Sequence, residues 1–89
     1  MMVRFVKTYV DVIVRMRTDG TLIPISVIWE NEEYEVDVVL QIIEARSQKV
    51  PTTVGTIKYV CRIRGQDKEM FLEDYPRRWF VEKPVIQFF

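Results

Sequence analysis

Two groups of side chains in this chain have types and spacings that could do chemistry. The first is basic. Lys58, Arg62 and Arg64 share one parity, and Arg77 and Arg78 run directly into Trp79 and Phe80. Cations on a strand face beside aromatic rings are what small β-barrels use to hold single-stranded nucleic acid, the charges following the phosphates and the rings stacking on bases. The second group is acidic: Glu30, Glu32, Glu33, Glu35 and Asp37. Hard cations want oxygen ligands converging from a defined loop. On an extended strand, Glu33, Glu35 and Asp37 recur on one face about every 6.5–7 Å. That spacing makes a solvated acidic face, not a cage, and no metal site is expected. The same carboxylates can pair with basic residues on a neighbouring strand, each pair contributing about 0.2–1 kcal/mol.

The 89 residues include one cysteine and no histidine. Missing histidine removes the commonest general base and the commonest transition-metal ligand. Cys61 has the parity of Ile57, Tyr59 and Ile63, which reads as a small buried hydrophobe with nothing placed to activate it as a nucleophile. Three isolated glycines make no phosphate-cradling loop. No catalytic residue and no cofactor is therefore expected. Basic and acidic residues balance at 13 each, so net charge supplies no bulk attraction to nucleic acid or to an anionic membrane. A 48% hydrophobic, 29% charged composition belongs to a folded globule. The length fits one domain over 1–89, with 1–8 and 84–89 as terminal extensions. The start of the chain lacks the apolar core of a signal peptide, and no apolar run approaches the ~20 residues that span a bilayer. With a lone cysteine, the expectation is a cytoplasmic location and no membrane partner.

Alternation positions these groups on strands. In residues 9–18, Val10, Val12, Val14 and Met16 oppose Asp11, Arg15 and Arg17, the mark of a strand with one buried face. Asp19-Gly20 turns the chain into a second strand over 22–29, with Ile23, Ile25, Val27 and Trp29 on one face and Pro24 at its start or on an edge. Glu30 to Glu33 is a hairpin turn. Residues 34–46 fit a strand with Tyr34, Val36, Val38, Leu40 and Ile42 inward. They also fit a helical stripe of Val36, Val39, Leu40 and Ile43. Valine and isoleucine content and the lack of an N-cap favour strand to about residue 43. A loop covers 47–55, and a strand over 56–64 follows. Gly65 turns the chain into a short strand near 69–73, and residues 78–82 form the last, ended by Pro84. Five or six short strands with tight turns point to an all-β, small SH3-like barrel, with an OB-like barrel as the second choice. The expected core is Val12, Val14, Ile25, Val27, Trp29, Val36, Val38, Tyr59, Cys61, Ile63 and Trp79.

The spaced landmarks Pro24-x4-Trp29, Tyr34-x-Val36, the Tyr59-centred strand and Trp79-Phe80-Val81-Glu82 resemble a small bacterial domain of unknown function. That domain occurs in short stand-alone proteins of Firmicutes, and a related one accompanies Y-family DNA-polymerase-like proteins in actinobacteria. The resemblance covers residues 10–83. Asn31 stands where a glycine often follows the tryptophan. It implies a fold and no established reaction, and the polymerase association keeps nucleic acid in view.

The C-terminus carries a packing conflict. Adjacent Trp79 and Phe80 cannot both point inward from a regular strand, so one is exposed or the strand is covered on both faces. Residues 85–89, Val-Ile-Gln-Phe-Phe, must dock on the barrel or on a partner, because exposed apolar patches mark interaction sites. The sequence thus reads as a non-enzymatic binding or interaction module whose partner is protein, self or other. Single-stranded nucleic acid is the alternative. The candidate surface is Lys58, Arg62, Arg64, Arg77, Arg78, Phe80, Phe88 and Phe89.

Overall fold

The computed structural model describes residues 2–45, 55–74 and 76–87. They form seven strands: β1 (Met2–Met16), β2 (Leu22–Trp29), β3 (Glu32–Glu35), β4 (Val38–Ala45), β5 (Thr56–Ile63), β6 (Gln66–Asp74) and β7 (Arg77–Gln87). All pairings are antiparallel, in one sheet of order β3-β2-β1-β7-β6-β5-β4. The all-β expectation holds, and the described residues contain no helix. β1 belongs to both halves of the sheet: Met2 to Val10 pair with β7, and Asp11 to Met16 pair with β2. The two outer strands, β3 and β4, are consecutive in the chain. Between them the Val36 amide donates to the Ile25 carbonyl (2.9 Å) and the Asp37 amide to the Arg62 carbonyl (2.8 Å). Two residues thus stitch one end of the sheet to the other, which the sheet can meet only by curling into a barrel-like form.

Two tight turns fix which backbone groups face which neighbour. Glu30 (φ 48°) and Asn31 (φ 66°) join β2 to β3, and Arg64 (φ 51°) and Gly65 (φ 74°) join β5 to β6. Two consecutive residues at positive φ make a type I′ hairpin, whose closing pair is hydrogen-bonded. From Ile63↔Gln66 the alternation of an antiparallel ladder propagates strand by strand. It directs Asp67, Glu69 and Phe71 of β6 toward β7, and Phe80, Glu82 and Pro84 of β7 toward β6. Val3, Phe5, Lys7 and Tyr9 of β1 then face away from β7. Propagation from the second hairpin, Trp29↔Glu32, gives the same phase, and the bond at Ile25 agrees with it.

The core consists of Val27, Tyr59, Cys61, Met70, Leu72 and Trp79, with Val12, Leu22, Val36, Val39, Ile57, Ile63 and Val81 packed around it. Tyr59 and Trp79 rings lie 4.8 Å apart, and the Tyr59 hydroxyl donates to the Leu22 carbonyl at 2.6 Å. Four expected core residues lie outside it: Ile25, Val14, Val38 and Trp29, the last half-buried on the wall of a cleft. Ile25 is 42% exposed because the register steps from Ile13↔Ser26 to Val14↔Pro24. Ile25 is the extra residue of a β-bulge, so parity reverses there and Pro24 and Ser26 are buried instead. Val14, at the same bulge, is also exposed. Val38 is 43% exposed: the corner at 36–37 shifts the phase, and Val39 faces Cys61 in its place. A second bulge makes Leu40 an extra residue between Val39↔Cys61 and Gln41↔Val60, so Leu40 is exposed rather than inward.

The described residues at both ends are strand. Met2 to Phe5 pair with Gln87 to Pro84, so residues 2–8 and 84–87 belong to β1 and β7 as a two-stranded ribbon. Pro84 does not end the last strand. It sits opposite Phe5, with its ring nitrogen on the side that needs no donor to β1. The residues 85–87 of the apolar tail are thus laddered to β1 rather than laid across the barrel mouth. Phe88, Phe89 and nearly all of the loop expected over 47–55 lie outside the described residues.

Candidate functional site

The basic residues are held by carboxylates one strand away. Lys58 pairs with Glu69, and Arg62 with Asp67 across the β5–β6 ladder at 3.1 Å. Arg78 bonds Glu73 at 2.9 Å, and Arg77 lies 3.9 Å from Asp74. Arg64 stacks on Tyr34, 4.3 Å from the ring centroid, while Tyr34 donates to Glu32 at 3.0 Å. Burial opposes the charge of Glu73, but bonds from Arg78, Lys7 and Tyr9 outweigh it and hold the carboxyl below its ordinary range. These residues are therefore not a bare cationic stripe. The described residues include no group of three or more Cys, Asp or Glu side chains placed to hold a metal ion.

Phe80 resolves the conflict at the last strand. Trp79 enters the core, and Phe80, on the opposite face, is only 4% exposed. Its ring stacks on Phe71 (centroids 4.9 Å, planes 11° apart) and meets the edge of Tyr9 at 6.0 Å. Lys7 lies over it at 4.8 Å, and Arg78 over Tyr9 at 4.0 Å. Both faces of β7 are thus covered, one by the core and one by an aromatic cluster of the outer face. Phe80 is not open to a partner, as its place in the candidate surface had required.

Cys61 is fully buried. Burial pushes its thiol up to about 11, so near neutrality it is a neutral packing group. Burial also raises the Tyr59 phenol.

A concave feature among the described residues lies elsewhere. The β6–β7 ladder runs from Asp74↔Arg77 to Phe71↔Phe80 and stops. Beyond that point β6 continues along β5 and β7 continues along β1. A cleft of about 680 Å³ opens where they part, lined by Val27, Trp29, Tyr34, Ile63, Met70 and Val81 among others. Its rims are edges of β6 at Asp67 and Glu69 and of β7 at Glu82 and Pro84 that have no strand partner among the described residues. Lys83 reaches to 6.0 Å from the Trp29 ring, and Lys68 and Glu82 also line the cleft. Of the sequence-derived candidates, Arg64 comes near it through its stack on Tyr34; Lys58, Arg62, Arg77 and Arg78 do not line it. Sequence reasoning missed Met70, Tyr34, Glu82 and Lys83 as site residues. The signal available was the aromatic pair Trp29 and Tyr34 flanking a two-residue turn, which places both rings at one end of a hairpin.

No family model, curated protein or solved structure matches the chain.

Proposed function

We propose that this protein is a non-enzymatic interaction module that takes an extended peptide segment of another protein into the β6–β7 cleft. The observation that carries the reading is the early end of the β6–β7 ladder around an apolar cleft. Two strand edges with unmet hydrogen-bonding groups flank it, the arrangement that strand addition uses: main-chain bonds supply affinity and pockets for alternate side chains supply selectivity. Asp67 and Glu69 each present an amide and a carbonyl, Glu82 presents both, and Pro84 only a carbonyl. The occupant is thus an extended segment bonded chiefly to β6, with apolar side chains at every second position against Trp29, Tyr34 and Met70. The finer fold assignment, an SH3-like barrel, belongs to the same proposal. It is supported by β1, which serves both halves of the curled sheet. So do membership of the bacterial family, supported by the Trp29, Tyr34 and Trp79-Phe80 landmarks, and a cytoplasmic location, supported by the single buried thiol. No helix among the described residues is long and apolar enough to cross a membrane.

The test is selection of a displayed random nonapeptide library on the purified protein, followed by NMR titration of the enriched peptides. The expected result is alternating apolar residues in the selected peptides and shift changes at 67–70 and 81–84. N-methylation of single peptide amides should weaken binding at alternate positions only. Shift changes confined to another surface would overturn the reading. So would an oligothymidylate titration at low salt that moves Lys58, Arg62, Arg64 and Arg78 and falls steeply with added salt.

A further inference from the structure

We infer that the N-terminal half of β1 is a self-association edge, through which two copies of this chain pair antiparallel across residues 3–9. In that half, Val3, Phe5, Lys7 and Tyr9 turn their amides and carbonyls away from β7, and β2 pairs with β1 only from Asp11 onward. Seven residues, about 23 Å of strand, present an edge with no strand partner among the described residues. The side chains along it are apolar and open to solvent: Val3, Phe5 (64% exposed), Val6 and Tyr9.

The two outermost strands carry features that block pairing. β3 is four residues long and carries Glu32, Glu33 and Glu35. β4 is interrupted by the bulge at Leu40. The β1 edge has no bulge and no proline between Val3 and Tyr9, and its outward-facing lysine, Lys7, is drawn back onto Glu73 at 3.2 Å and over the Phe80 ring. An edge whose one outward lysine is engaged within its own chain is a template for another strand.

A second copy fits it because the sequence is self-complementary in one register. Hydrogen-bonded pairing must match odd residues with odd, which leaves three close registers about a two-fold axis. An axis at Lys7 sets Lys7 against Lys7 of the second copy, a like-charge pair that destabilises. An axis at Phe5 shortens the ladder and leaves Tyr9 out. An axis at Val6 pairs the whole segment: Val3 with Tyr9, Phe5 with Lys7, Arg4 with Thr8, and Val6 with itself. No like charges meet, and each Phe5 ring lies against a lysine that already covers an aromatic ring within its own chain. This is an isologous contact, and its small size places it among weak interfaces, so dimers form in the micromolar range.

The experiment is sedimentation of the full chain over a concentration series, with a cross-linking arm. Val6 faces its own copy as a non-hydrogen-bonded pair, with Cα atoms about 4.5 Å apart, close enough for a disulfide. Val6→Cys is expected to cross-link under mild oxidation at least tenfold faster than Tyr9→Cys, because Cys61 is buried and does not compete. Phe5→Lys, which adds charge opposite Lys7 at an exposed position, is expected to weaken association tenfold or more with its urea unfolding midpoint little changed. Association that survives Phe5→Lys, or equal cross-linking at positions 6 and 9, overturns the register and the edge. A monomer at every concentration overturns the dimer and leaves this edge for a strand of a different protein.

Discussion

Replacing Phe80 by alanine tests whether the outer face of β7 carries a second hydrophobic layer. The ring is as buried as the core residues, yet it lies on the opposite side of the sheet from Trp79. Burying a phenylalanine side chain is worth about 1.5–3 kcal/mol, and the cavity left on truncation raises the cost of Phe→Ala to about 3–5 kcal/mol. The stack on Phe71 at 4.9 Å and the edge contact with Tyr9 at 6.0 Å are worth about 0.5–1.5 kcal/mol beyond burial. A domain of this length has a total stability of roughly 5–13 kcal/mol, so one such change removes a large share of it. The assay is urea unfolding, with the midpoint lowered and the slope unchanged. Should Phe80→Ala fail to fold, Phe80→Leu keeps the measurement open, at a cost of about 1–2 kcal/mol. A cycle with Phe71→Ala is expected to give a coupling of about 0.5–1.5 kcal/mol. A loss below about 0.5 kcal/mol for Phe80→Ala, the size of an ordinary surface change, would refute the two-layer account and return Phe80 to the open surface.

Two other outcomes follow from the geometry. The Cys61 thiol ionises near 9.0 when unfolded and is pushed up to about 11 by burial. Its contribution to stability is therefore complete below pH 9 and is lost as pH rises from 9 to 11, in total about 3 kcal/mol. Urea unfolding at about pH 8 and about pH 11 measures this, and Cys61→Val isolates the thiol from Tyr59, which loses stability in the same direction; equal losses in the two proteins would contradict it. Glu30 occupies the first position of a type I′ turn at φ 48°, where asparagine is better tolerated. Glu30→Asn is expected to raise stability by about 0.5–1 kcal/mol, and a lowered thermal midpoint would rule out that account of the turn.

Parity carried the sequence reading as far as regular ladders extend and failed where a ladder breaks. Tyr59, Cys61 and Trp79 are buried as their alternation requires, because β5 and the start of β7 are regular. Ile25, Val38 and Leu40 are exposed because a bulge or corner inserts one residue on one strand only, and that insertion is set by the partner strand rather than by the residue itself. The Trp79-Phe80 pair left two outcomes, one ring exposed or β7 covered on both faces, and the structure shows the second. The identity of the cover, Tyr9 and Phe71, depends on strands β1 and β6 being its two neighbours, which no local pattern states. The same holds for the charges: Lys58, Arg62 and Arg78 were legible as a basic face, but the carboxylates that neutralise them come from β6, and only the register sets Asp67, Glu69 and Glu73 beside them. With those side chains paired, the unmet interactions of the described molecule are largely in its backbone, at β6 and β7 around the cleft and along β1 at residues 3–9. Under the proposed function, free strand edges would recognise the shape and hydrogen-bonding of another strand before any particular side chain. The basic residue types kept nucleic acid as the alternative in the sequence; the proposal of a protein partner rests on the strand edges, which only the register displays.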